Sequence, residues 1–136
     1  MLLLTRSVSF AARHRLAFRD RPEAENRAAF GALALTHGHT YTCRVTVEGA
    51  AAPRTGMVMD LGLLDRILAE EVTARFDGCD LNEALPAAAA GTALPVCEAI
   101  AADLFPRISA RLPAGVALQR VRIEEDPTLY GECIRG

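Results

Sequence analysis

Three histidines constrain this chain more than any other feature. His37 and His39 form an H-x-H in LTHGHTYTCRVTVEG, and His14 closes the earlier segment LLLTRSVSFAARH. On a β-strand, side chains at i and i+2 point to one face, about 6.6 Å apart at a rise of ~3.3 Å per residue. Leu4, Val8, Phe10, Ala12, His14 and Leu16 share one parity of the first segment. His37, His39, Tyr41, Cys43, Val45 and Val47 share one parity of the second. All three histidines therefore fall on apolar strand faces. If the two strands pair antiparallel, the end of the first lies beside the start of the second. The imidazoles then converge. Three nitrogens with an open fourth position make the donor set of a catalytic zinc. A lone histidine is more often a surface or hydrogen-bonded core residue. The matching faces of all three favour a metal.

Composition narrows the function further. The chain has 136 residues, enough for a single domain, 1–136, with a sizeable core. Hydrophobic residues make up 51% and charged residues 24%, the balance of a soluble globular protein. The formal net charge is −2, so the basic footprint of a nucleic-acid partner is missing. There is no lysine, and all 15 basic residues are arginine. Any phosphate contact from a basic side chain must then be a guanidinium fork. The N-terminal apolar run, Leu2 to Leu4, is too short for a signal peptide. No segment has the length to span a membrane. Cys43, Cys79, Cys97 and Cys133 lie far apart with no C-x-x-C. They read as free thiols in a reducing cytoplasm. Cys43 and Cys97 fall on apolar faces, as core residues do.

Along the chain, the first strand spans Leu2 to His14, and the polar segment RDRPEAENRAAFGALAL reads as a long loop. The second strand spans His37 to Glu48, and its other face, Thr40, Thr42, Arg44, Thr46 and Glu48, is polar. Asp60 is a helix N-cap. Leu61, Leu64, Ile67, Leu68, Val72 and Phe76 follow at amphipathic helix spacing. FDGCDLNEALPAAAAGTAL reads as an irregular connection. Pro95 suits the first turn of a second helix, with Cys97, Ala101, Leu104, Ile108 and Leu112 as its stripe. Pro106 should kink or interrupt it. A third strand runs from Val116 to Glu125, and Val121, Ile123 and Glu125 share its apolar face. A carboxylate ending an apolar row is either a ligand anchor or a solvated strand end. GECIRG adds a short fourth strand. The order is ββααββ, an α+β fold with an antiparallel four-stranded sheet and two helices on one face.

FAARHRL, THGHTY, GMVMDL, FDGCDLNE, the Glu98 helix start and VRIEED occur in this order. Together they resemble the 6-pyruvoyl-tetrahydropterin synthases and the similar 6-carboxy-tetrahydropterin synthases. The resemblance covers nearly the whole chain, and its specific part is the pair F-x-x-x-H-R-L and H-G-H-x-Y. It implies the tunnelling fold, in which subunits close a trimeric barrel and two trimers stack into a hexamer. The polar face of the second strand would line the tunnel. His14, His37 and His39 match the family's zinc (Zn2+) ligands. Glu125 matches the glutamate that holds the pterin ring edge, with Glu124 its rival if the register slips. A carboxylate suits that role because it accepts two parallel N–H bonds. Glu98 matches the glutamate of the family's P-T-x-E-N, although Val96 replaces the threonine. Asp77 matches the catalytic aspartate of D-H-x-x-L-N.

Two positions depart from the family pattern. The cysteine that serves as base, four residues before the H-G-H, is Leu33 here, and the histidine after the aspartate is Gly78. Neither can move a proton. Cys79 and Asp80 are candidate substitutes, as are Glu23 and Glu25 in the long loop. The expected activity is a zinc-dependent pterin lyase acting on 7,8-dihydroneopterin triphosphate or a related dihydropterin. A different, aldolase-like side-chain cleavage and non-catalytic binding of a pterin or purine are the alternatives.

Overall fold

The computed structural model describes residues 1–136. Strands β1 (Leu2–His14) and β2 (His37–Gly49) pair antiparallel along their length, from Leu2 opposite Gly49 to His14 opposite His37. Alternation sorts their side chains as expected. Phe10, Ala12 and His14 are buried, while Ala11 and Arg13 are exposed. Strands β3 (Ala117–Asp126) and β4 (Leu129–Ile134) complete a sheet of order β1-β2-β3-β4. The fourth strand starts two residues before GECIRG. Its turn forms where the Asp126 carboxylate accepts hydrogen bonds from the Thr128 amide and hydroxyl.

The segment read as a loop holds helix α1 (Glu23–Phe30) and a 3-10 turn, Gly31–Ala34. Pro22 precedes α1, and Glu23 and Glu25 lie in its first turn, where carboxylates favour the positive helix end. Only Asn26 of α1 is buried, so the helix carries no apolar stripe. Helix α2 (Leu61–Leu68) begins at the expected cap, with Asp60 Oδ1 accepting from the Gly62 amide at 2.9 Å. It widens through a π turn, Ala69–Thr73, into α3 (Ala74–Phe76). The connection read as irregular contains two short helices, α4 (Leu81–Ala84) and α5 (Pro86–Ala89).

Helix α6 (Cys97–Ser109) runs through Pro106 without interruption. The missing proline N–H deprives only the Ala102 carbonyl of a partner. Ala102 is exposed, so water can take that carbonyl.

The helices cover one face of the sheet. A cluster of 23 buried residues joins Leu64, Ile67 and Leu68 of α2 and Ile100, Leu104 and Ile108 of α6 to the inward strand residues. Phe10 stacks on Tyr41 with ring centroids 5.0 Å apart and meets Phe76 at 5.7 Å. The other face is charged and polar. There Arg44 pairs with Glu124 at 3.0 Å and Arg122 with Glu132 at 2.7 Å.

Two local features set up the site. The β3–β4 register shifts between Glu124 and Asp126, which leaves Glu125 as the extra residue of a bulge. Bulges re-aim side chains. Gly131 of β4 lies against the start of α6, where an added Cβ would come within 2.8 Å of the Glu98 backbone nitrogen. Glycine thus admits the helix to the sheet. Gly131→Ala should push α6 outward and destabilise the protein by about 1–3 kcal/mol, the usual cost of overpacking. Chemical denaturation of the variant checks this, and an unchanged midpoint would show that the contact relaxes freely.

Candidate metal and ligand site

The β1–β2 register brings the three histidines together at one end of the sheet. Their ligand atoms all lie within 4.8 Å of one another. The ring centroids are 4.6 Å apart for His14 and His37, 5.2 Å for His14 and His39, and 5.1 Å for His37 and His39. Hydrogen bonds select the tautomers. His14 Nδ1 donates to the Pro95 carbonyl at 2.7 Å, and His37 Nδ1 donates to the Leu35 carbonyl at 2.7 Å. A carbonyl only accepts, so the proton sits on Nδ1 and the Nε2 lone pair is left for a ligand. His39 Nε2 is buried with no hydrogen-bond partner.

Burial holds the His14 imidazole below its usual pKa. The bond to Pro95 opposes that shift, and His37 and His39 reinforce it. The neutral ring is the ligating form. An orphaned buried nitrogen beside two oriented imidazoles fits a divalent ion with affinity for nitrogen donors, zinc among them.

A cavity of about 210 Å³ opens beside this cluster, with His14, His37, Leu33, Cys97, Glu98 and Glu125 in its wall. Glu125 faces inward. Its Oε2 lies 3.6 Å from His39 Nε2, and its Oε1 accepts from the Cys97 thiol at 3.9 Å. Burial, with Glu125 adding to it, pushes that thiol up to about 12, so it stays protonated and donates. The Tyr41 hydroxyl lies 3.3 Å from His14 Nδ1, and burial raises its pKa, with Glu125 next in effect. Glu124 turns to the opposite face, where Arg44 and Arg122 hold it.

The remaining candidates are spread over different places. Leu33 is 51% exposed and lines the histidine cavity. Gly78 and Cys79 border a separate shallow depression with His39. Gly78 has φ +75°, a left-handed turn that glycine adopts freely. Asp77 Oδ1 accepts from the Ala11 amide at 2.9 Å. Asp80 Oδ1 caps α4 by accepting from the Asn82 amide at 2.9 Å. Asp80 and Glu23 border a third hollow, and Glu23 is paired with Arg15. Glu25 is exposed on α1.

Sequence reasoning missed Tyr41 and Cys97 as neighbours of the site. The parity that singled out the histidines includes Tyr41, so that signal was present. The contact of Cys97 with Glu125 depends on α6 meeting the bulge, which no local pattern encodes.

The sheet, its one-sided helices and the histidine cluster define an α+β protein with a candidate metal centre. The 6-pyruvoyl tetrahydropterin synthase family model matches residues 3–135, and the chain belongs to that family. It is 33% identical over 124 residues to the 6-pyruvoyl tetrahydrobiopterin synthase of Homo sapiens, spanning 90% of this chain and 83% of that one. The Drosophila melanogaster synthase is 32% identical over 126 residues, spanning 91% and 74%. The structure of Caenorhabditis elegans 6-pyruvoyl tetrahydropterin synthase matches with a TM-score of 0.85 at 27% identity, covering 99% of this chain and 96% of that one. A 6-pyruvoyltetrahydropterin synthase structure from Plasmodium vivax shares the fold, with a TM-score of 0.65 at 14% identity over 100% and 99% of the chains. Membership supports a lyase of the pterin synthase type.

The geometry predicts about one tightly held divalent ion per chain. His37→Ala or His39→Ala should remove it. Elemental analysis of the purified variants checks this, and full occupancy in either would place the ion elsewhere.

Proposed function

We propose that the chain is a zinc-dependent pterin lyase, a single domain over residues 1–136, acting on 7,8-dihydroneopterin triphosphate or a related dihydropterin. One observation carries the reading. The three imidazoles converge beside a cavity that also exposes the inward carboxylate of Glu125. Bound zinc would act as a Lewis acid and lower the pKa of substrate hydroxyls. Glu125 would orient the ring by accepting paired N–H bonds, with the Cys97 thiol steadying one oxygen. Glu98, on the same wall, would add a polar contact to the substrate.

Leu33 favours a second reading. It occupies the cavity wall where family synthases carry their base, and leucine accepts no proton. Cleavage of the side chain by another route, or binding without turnover, would then replace the synthase reaction. Incubating the metallated protein with 7,8-dihydroneopterin triphosphate and identifying every pterin formed separates these readings. Weak or absent 6-pyruvoyl-tetrahydropterin is the expected outcome. Robust formation would point to a replacement base, with Cys79 and Asp80 tested first.

The proposed assembly is a hexamer of two trimers. Exposed Leu2, Leu3 and Ile134 on the two edge strands support it, since open sheet edges seek partners. Light scattering at micromolar concentration should give a mass of at least a trimer, and a monomer would contradict it. A cytoplasmic location fits the four free cysteines and is open to cell fractionation. No helix is long and apolar enough to cross a membrane.

Glu125→Gln keeps the side chain's shape but loses its charge. Pterin binding should weaken by roughly 1.5–3 kcal/mol, the range for a hydrogen bond to a charged group. Isothermal titration with a dihydropterin measures it. Unchanged affinity with a matching loss in Glu124→Gln would move the anchor to the other face.

A further inference from the structure

His14 is the last residue of β1, and β1 is an edge strand. The end of an edge strand frays unless its outer backbone groups find partners. Here they find them on the segment from Asp77 to Asn82. The Ala11 amide donates to Asp77 Oδ1 at 2.9 Å, and the Ala11 carbonyl accepts from the Gly78 amide at 2.6 Å. The Arg13 amide donates to the Cys79 carbonyl at 3.0 Å. The Arg15 amide donates to Asn82 Oδ1 at 2.9 Å, and Asn82 Nδ2 donates back to the Arg15 carbonyl at 3.0 Å.

Residues 11, 13 and 15 alternate with Ala12 and His14, and their backbone groups bond to the 77–82 segment. The Asp77–Asn82 segment therefore stands where a fifth strand would lie. Only one bridge, Arg13 with Asp80, pairs as backbone does in a sheet. The Gly78 amide and the side chains of Asp77 and Asn82 supply the rest of the lattice at its two ends. Asn82 is itself held, because Asp80 caps its amide and the adjacent Leu81 is fully buried. On the inner side, the Leu16 amide donates to the Leu33 carbonyl at 2.8 Å. The turn on either side of His14 is thus tied down, and Asn82 makes the tie on the outer side.

We propose that Asp77 and Asn82 are positioning residues for the metal site: they clamp the end of β1 and hold His14 in register with His37 and His39. Asp77 acts as an acceptor for the Ala11 amide rather than as a proton-transfer group. This rests on the metal reading above. The neighbouring Gly78 fits the assignment, because its left-handed turn lets the Asp77 side chain and the Gly78 amide reach Ala11 together. A histidine ligand whose strand end is free to drift loses the donor placement that tight binding needs. Partners that orient metal ligands typically account for 10–100-fold in affinity.

The test is zinc affinity, measured by competition with a chromophoric chelator on the full chain below its melting temperature. Wild type, Asn82→Ala, Asp77→Ala and Asp77→Asn are compared. Asn82→Ala and Asp77→Ala should bind zinc roughly 10–100-fold more weakly. Asp77→Asn should bind nearly as wild type does, because its amide oxygen still accepts from Ala11. A merely stabilising role would lower the melting temperature of the alanine variants and leave zinc affinity of the folded protein alone. A proton-transfer role for Asp77 would also leave zinc affinity alone in Asp77→Ala. Equal binding by wild type and both alanine variants would overturn the clamp. Absence of zinc binding by the wild type would overturn the metal reading itself and the clamp with it. If Asn82→Ala does not fold, the Asp77 pair decides.

Discussion

The pairing of β1 with β2 is the interaction on which the rest depends. It sets His14 opposite His37 at the sheet end, two residues from His39. Side chains alternate along a strand, so a slip of one residue would turn His14 to the polar face and dissolve the cluster. Buried aromatic contact guards against that slip. Phe10 pairs with Tyr41 in the register and stacks on it in parallel, and both side chains are essentially inaccessible. The same contact packs Phe10 against Phe76 at the end of α3. One core contact thus ties the sheet register to the helical layer.

Ligand geometry is added from outside the two strands. The Pro95 carbonyl, just before α6, orients His14, and the Leu35 carbonyl, just before β2, orients His37. These bonds leave Nε2 available on both rings. Burial lowers the His14 pKa, which favours the neutral ring that binds a metal. Glu125 reaches the same region through the β3–β4 bulge, and α6 brings Cys97 against it because Gly131 lacks a Cβ. The histidine cluster and the Glu125 carboxylate are therefore positioned by different elements that meet only in the folded chain.

Alternation made the sheet legible in the sequence, since period-two burial leaves a direct mark on residue order. The ends of β1 and the start of β2 could be placed on that mark alone. Helix α1 left no such mark, because only Asn26 of it is buried. The short helices α4 and α5 carry one buried residue each, too few for a period. Pro106 does not end α6, and Ala102, whose carbonyl it frees, is exposed to water. At the site, parity correctly turned Glu125 inward and Glu124 outward. The bulge behind that placement depends on strand pairing and was invisible. So was the separation of Leu33 from Gly78, which line different hollows within one chain. In the folded chain Asp80 serves as a helix cap and Asp77 as an acceptor on the β1 edge.

The proposed metal site uses three imidazoles and none of the carboxylates or thiols around them. X-ray absorption at the zinc edge of the zinc-loaded protein tests it most directly. Three imidazole ligands predict three nitrogen scatterers at about 2.0–2.1 Å with the outer-shell pattern of imidazole rings, and no sulfur. A sulfur shell at about 2.3 Å would instead put a cysteine on the metal and contradict it.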